Sequence, residues 1–170
     1  MSCLGVLFAM PKKDVDALLV SKYDEDRLEY LQHGIEEDYL DFDSPVLKYA
    51  AELDKSWDAM HRVMTDGSFG FDNGTFPLNH VIMGGESLYH KNDYYMILKT
   101  PEQVKAIWNA LKIITESWFR ERYFQIDPYD YGHDVDEEDF LYTWEWFNSS
   151  LPVWERAARE DRYMLFTVDQ

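Results

Sequence analysis

Tyr94-Tyr95-Met96-Ile97-Leu98-Lys99-Thr100-Pro101-Glu102-Gln103 sets a strand and a helix start back to back. The first five residues are aromatic, branched or apolar and Lys99 follows them, with no turn former among the six, which is the composition of a strand. Thr100 then offers a side-chain oxygen to the free amides of a first helical turn. Pro101 suits the first helical position because it has no N–H to leave unpaired, and Gln103 reaches back to the cap. Downstream, Val104, Ile107, Trp108, Leu111 and Ile114 recur at helical spacing, so this helix has one apolar stripe to bury. A strand that runs into a one-faced helix predicts a sheet with helices packed on it.

Working toward the N-terminus, Gly84-Gly85 marks a turn that backbone geometry requires. Pro77 to Met83 fits a short helix or a buried strand, and periodicity does not choose between them. Ser68 to Thr75 is rich in Gly, Asn and Asp and reads as a loop. The spacing predicts a helix over Leu53–Met64, with Asp54 as its N-cap and Leu53, Trp57, Met60, His61 and Met64 on one face. Ile35 to Ser44 reads as acidic and irregular. A helix over Asp24–Gln32 is expected to end at Gly34. Leu4 to Met10 is a compact apolar run bounded by Pro11, hence a strand, and Pro11 opens a helix carrying Val15, Leu18 and Leu19.

Toward the C-terminus, Glu116 to Phe124 continues helical and Asp127 to Asp139 reads as an acidic loop around Pro128 and Gly132. Phe140 to Phe147 is helical, and Pro152 is expected to kink or restart that helix, since proline removes an amide bond and clashes with the preceding turn. Tyr163 to Val168 reads as a closing strand. Both ends of the sequence are therefore apolar strands, which predicts a single α+β domain over residues 1–170 with the two terminal strands in one small sheet.

The 33 acidic and 16 basic side chains give a formal charge of −17. Nucleic-acid binding needs a basic footprint to neutralise phosphates, and none is visible. Anionic membrane surfaces are disfavoured for the same reason. The charge favours a cationic partner, or serves solubility alone. Cys3 is the only cysteine, so no intrachain disulfide forms. The apolar start lacks a basic leader, and no apolar run approaches the roughly 20 residues of a spanning helix. These features predict a cytoplasmic setting.

Candidate chemistry is sparse. Asp54 and His61 are seven residues apart with Trp57 between them, so a helix would bring them to one side. His61 is then an acid–base group, or a packing residue below a capping Asp54; a catalytic histidine needs an oriented nucleophile or substrate, and the sequence displays none. Cys3 has no basic neighbour to favour its thiolate. Gly67, Gly70 and Gly74 are followed by no Gly-Lys-Ser or Gly-Lys-Thr, and Asp66 and Asp72 would repel a phosphate. The carboxylates of Asp127–Asp139 do not match the spacing of an EF-hand loop. No metal site and no cofactor is expected.

Two stretches mix carboxylates with rings: Glu36, Glu37, Asp38, Tyr39, Asp41 and Asp43, and then Tyr129, Asp130, Tyr131, Asp134, Asp136, Glu137 and Asp139. Aromatic rings supply contact area while carboxylates steer a basic surface. Both stretches are candidate contacts for a basic protein, or else ordinary solvated loops.

Three blocks in order carry a family resemblance. They are Leu4-Gly5-Val6-Leu7-Phe8, then Leu53-Asp54-Lys55-Ser56-Trp57-Asp58-Ala59-Met60-His61 continuing to Met64-Thr65-Asp66-Gly67, then Pro77-Leu78 leading to Val81-Ile82-Met83-Gly84-Gly85. Together the chain resembles the YfbM-like family, a bacterial domain family of unknown function. Asp54, Trp57, His61, Gly84 and Gly85 are its motif positions here. The resemblance implies a compact α+β fold in the bacterial cytoplasm and supplies no reaction. Relatives are similar to proteins encoded beside secreted antibacterial toxins, which implies an immunity role: binding a cognate toxin and occluding its active site. The alternatives are an enzyme reversing a toxin's modification, with a pocket around Asp54, Trp57 and His61, and a housekeeping interaction protein that forms a homodimer.

Overall fold

The computed structural model describes residues 3–170; Met1 and Ser2 lie outside the described residues. β1 (Gly5–Met10) is buried along its whole length, which explains why it reads as a continuous apolar run and not as an alternating one. It is followed by α1 (Lys12–Val20), which buries Val15 and Leu18 but leaves Leu19 partly exposed. The sheet is completed by β2 (Ala50–Asp54), β3 (Glu86–Ser87), β4 (Tyr94–Lys99) and β5 (Tyr163–Asp169), in the antiparallel order β2-β1-β5-β4-β3. The two terminal strands are direct neighbours, with Val6 opposite Thr167 and Phe8 opposite Leu165. The chain is thus one α+β domain, with helices packed on a sheet that holds both ends.

Two helices carry much of that packing. α5 (Pro101–Leu111) starts with the capping box that Thr100 and Gln103 predict and buries Val104, Ile107 and Leu111 against β5 and the long α8 (Glu137–Arg159). α8 also runs along β1 and β2. Its Phe140, Phe147 and Trp154 are fully buried, large apolar side chains that each contribute roughly 1.5–3 kcal/mol by leaving water.

Several expected boundaries move. The helix placed over Leu53–Met64 begins only at Trp57, because Ala51 and Leu53 point inward and Glu52 outward at the two-residue period of a strand. α4 (Trp57–Met64) is what remains of it. Asp54 has a positive φ of 50° and its carboxylate accepts from Lys55 N next door, so it ends a strand and does not cap a helix.

Gly34 does not end a helix either. α2 (Asp24–Tyr30) passes through a wider turn at Leu31–Glu36 into α3 (Glu37–Tyr39), and Leu31, Ile35 and Tyr39 are buried at four-residue spacing. A Cβ on Gly34 would come within 3.1 Å of the Tyr30 ring, so the glycine admits that ring. Beyond α5 the helix breaks at Lys112–Ile114, and Thr115 caps a separate α6 (Glu116–Tyr123). Pro77–Met83 resolves into a single 3-10 turn at Leu78–His80.

The acidic loop is largely structured. Asp127 caps the one-turn α7 (Pro128–Tyr131), Gly132 closes it at φ 75°, and Asp136 caps α8 by accepting from Asp139 N. Pro152 lies inside α8 and does not restart it. The bond it forfeits is the one to Asn148 O; in the preceding turns Asn148 donates to Trp144 O, Ser149 to Trp146 O and Ser150 to Phe147 O.

Candidate functional site

The family-motif residues build an interior frame. His61 is fully buried, and its Nε2 lies 2.8 Å from Asn73 Oδ1. The Asn73 amide nitrogen sits within 3.0 Å of Thr65 Oγ1, Asp66 Oδ1 and Ser68 O, so its oxygen is the acceptor and His61 Nε2 is the donor. Burial pushes the His61 pKa down, so the ring is neutral, and its Nδ1 has no partner among the described residues. The Ser68 and Asn73 donors hold Asp66 ionised down to about 2. Asn73 thereby ties the Ser68–Thr75 loop to α4. Gly74 is required there, because at φ 77° a Cβ would sit 2.7 Å from Thr65.

A second buried polar group lies deeper. Lys99 ends β4 fully buried, donates from Nζ to Ile82 O at 2.6 Å, and stands 5.4 Å from the centre of the Phe166 ring. Among the described residues it makes no ion pair, and burial pushes its pKa well below the ordinary lysine value. Its acceptor belongs to the motif segment Val81–Gly85. Gly84 and Gly85 turn tightly beside it: a Cβ on Gly84 would strike Asn79 O at 2.4 Å, and one on Gly85 would strike Leu98 O at 2.5 Å. A buried amine with a lowered pKa is a chemical candidate in general, but neither Lys99 nor His61 lines a described cavity.

The frame holds up a cleft of about 810 Å³. Trp57 anchors one wall through Nε1, which donates to Cys3 O at 2.9 Å. The tethered loop lays Phe69 against Trp57, with centroids 6.1 Å apart, and Tyr95 meets the same indole at 6.3 Å. α4 adds Asp58 and Arg62; α7 and α8 add Asp130, Tyr131, Asp139 and Tyr142.

Arg62 joins these parts. Its side chain is only 4% exposed; Nε donates to Asp58 Oδ1 and an Nη to Asp130 Oδ2, each at 2.6 Å. The guanidinium also lies 5.4 Å from the Tyr131 ring centre. Asp139 accepts from Tyr123 at 2.5 Å and from Tyr131 at 3.1 Å. Burial, aided by that carboxylate, pushes both phenols up, so both hydroxyls keep their protons.

The two acidic stretches fare differently from what their composition predicts. In the first, Glu36 is half-buried and accepts from Tyr94 at 3.0 Å, and Glu37 pairs with His33. Tyr39 is buried, donating to Asp14 at 2.8 Å with its ring edge-on to Phe8, so it offers no contact surface. Asp38, Asp41 and Asp43 are exposed around Phe42. In the second, Tyr129 is 97% exposed while Tyr131 turns inward, against the expectation that both rings face a partner. Asp130 holds Arg62, Asp136 caps α8 and Glu137 forms a two-bond pair with Arg120. Asp134 and Glu138 are exposed, with no side-chain bond among the described residues.

Trp57, Asp130, Tyr131 and Asp139 therefore meet in one cleft, whereas Asp54, His61, Gly84, Gly85 and the whole Glu36–Asp43 stretch do not line it. The expected pocket around Asp54, Trp57 and His61 is corrected to one that keeps only Trp57. Sequence reasoning missed Arg62, Phe69, Tyr95, Lys99 and Asn73. The visible signal was Phe69 and Phe71 in a stretch otherwise made of turn formers. Among the described residues, no group of three or more His, Cys, Asp or Glu side chains is placed to hold a metal ion, and no helix is long and apolar enough to cross a membrane.

The geometry can be set beside known proteins. The crystal structure of a protein of unknown function, YfbM from Escherichia coli, matches with a TM-score of 0.67 over 97% of this chain and 99% of that chain, at 17% identity. That likeness shows a shared fold alone. No curated protein sequence matches significantly. A family model described as a domain of unknown function (DUF1877) matches residues 1–167, so the chain belongs to that family.

Proposed function

We propose that this chain is an acidic protein-binding domain that acts as an immunity protein in the bacterial cytoplasm, docking on the basic surface of a cognate toxin and occluding its active site. The observation that supports it most is Tyr129, 97% exposed on α7, with the exposed carboxylates of Asp134, Asp136 and Glu138 following it within nine residues. A ring held out on a capped helical turn supplies contact area at little entropic cost. The carboxylates around it, of which Asp134 and Glu138 make no side-chain bond among the described residues, and the net charge of −17 steer a basic surface toward it. Asp130, Glu137 and Asp139 brace this rim by holding Arg62, Arg120 and the hydroxyls of Tyr123 and Tyr131.

Co-expression with the product of the neighbouring gene tests the reading. The expected result is a one-to-one complex and full protection of the cell, both lost on the combined substitution Y129A/D134K/E138K. A folded parent chain that neither binds nor protects would contradict it.

A second reading, an enzyme that reverses a toxin's modification, draws on the cleft volume of about 810 Å³, which falls in the range of small-molecule sites. It predicts protection at substoichiometric amounts, abolished by changes inside the cleft and indifferent to Tyr129.

A further inference from the structure

We infer that the cleft beneath this rim is a receptor for one arginine side chain of the basic partner, seated between an aromatic wall and the carboxylates of Asp58 and Asp130. The inference rests on the protein-binding reading and names what that site grips.

Trp57, Phe69 and Tyr95 line the wall, and Phe71 backs them to close a cycle of four rings. Trp57 meets Phe69 at 6.1 Å, Phe69 meets Phe71 at 6.4 Å, Phe71 meets Tyr95 at 5.2 Å, and Tyr95 returns to Trp57 at 6.3 Å, all edge to face. Ring faces attract cations, most strongly where water is partly excluded. Phe69 and Phe71 are kept exposed on a loop whose exit is fixed by Asn73, so the wall stands before any ligand arrives. A preformed site avoids the ordering cost that weakens flexible ones.

Charge completes the case. Asp58 and Asp130 share a single cation, Arg62, which leaves one negative charge over. Each uses one oxygen on it, Oδ1 of Asp58 and Oδ2 of Asp130; their other oxygens have no partner among the described residues, and the side chains are 29% and 56% exposed. Arg62 itself shows the chemistry the site accepts: a guanidinium between two carboxylates, close to the Tyr131 ring and 6.0 Å from Phe69. A planar guanidinium stacks and forks where an ammonium does neither as well, so arginine is favoured over lysine. Lys55 is the remaining cation on the cleft wall, exposed and without an ion pair among the described residues. Its ammonium opposes a second cation.

Titration of the full chain with N-acetyl-arginine amide, followed by two-dimensional NMR, tests the inference. N-acetyl-citrulline amide, which keeps the shape and lacks the charge, is the control probe. Saturating shifts are expected at the Trp57 indole N–H and the Ser68–Thr75 amides with the arginine probe only. F69A, at a partly exposed ring of the lining, and D58N should each weaken binding by about tenfold, and K55A should strengthen it by about twofold. An equal response to the citrulline probe, shifts confined to other faces, or full binding by F69A would overturn the inference. Toxin capture lost in Y129A/D134K/E138K but intact in F69A would also overturn it, while leaving the protein-binding reading in place. Arginine binding in the cleft without any toxin capture would support it and remove only the immunity reading.

Discussion

Glu36–Asp43 and Asp127–Asp139 have nearly the same composition, carboxylates interleaved with rings, and the fold puts them to opposite uses. In the first, Tyr39 continues the buried series Leu31, Ile35, Tyr39, so helical spacing draws the ring into the core beside Phe8. In the second, a capped start at Pro128 and a glycine stop at Gly132 wind a single turn. Tyr129 and Tyr131, two residues apart at about 100° each, then face roughly opposite ways. Composition proposes a contact surface; periodicity and local turn chemistry decide whether one exists.

The contrast can be broken or sharpened by substitution. The largest effect is expected at Asp139, the shared acceptor of two buried tyrosine hydroxyls. Asp139→Ala should lower stability to urea unfolding by about 3 kcal/mol, whereas Asp38→Ala in the other stretch should stay within about 0.5 kcal/mol. Arg62→Met should lower it by about 2 kcal/mol, a figure reduced by the solvent exposure of Asp130. Tyr39→Phe should remove about 1 kcal/mol with its bond to Asp14, and Tyr129→Phe nothing measurable. Equal costs for the two tyrosines would mean that the stretches are alike after all.

The smallest effects carry opposite signs. Burial raises the Glu36 pKa in spite of the Tyr94 hydroxyl, while the Arg120 hydrogen bond lowers that of Glu137. A raised carboxyl loses its stabilising share as pH rises through the folded value; a lowered one loses it as pH falls. Glu36→Gln should therefore raise the melting temperature at about pH 7 and Glu137→Gln should lower it, with both differences shrinking toward about pH 4.

Much of the sheet was legible because its signals are local. β1 is an uninterrupted apolar run, β5 is apolar from Tyr163 to Phe166 and again at Val168, and β4 leads into a complete capping box at Thr100–Gln103. Leu53 misled because one leucine fits both a two-residue and a 3.6-residue period, and only its pairing with β1 decides. Gly34 misled because its small size accommodates a ring instead of ending a helix. The sequence singled out Trp57, Asp130, Tyr131 and Asp139 but not the cleft that joins them. Its walls come from α4, the Ser68–Thr75 loop, α7 and α8, and the Arg62–Asp130 bond that joins two of them spans 68 residues. The motif residue His61, readable as an acid–base group or as a packing residue, is buried and ties the aromatic loop to α4 through Asn73.

The central claim is that the Tyr129 rim, with its uncommitted carboxylates, captures a basic protein. Stopped-flow association with the purified product of the neighbouring gene, across a salt series, tests this most directly. The account predicts an association rate that falls steeply with salt, and that D134K/E138K slows by about tenfold at low salt without changing stability. An association rate indifferent to both salt and these substitutions would contradict it.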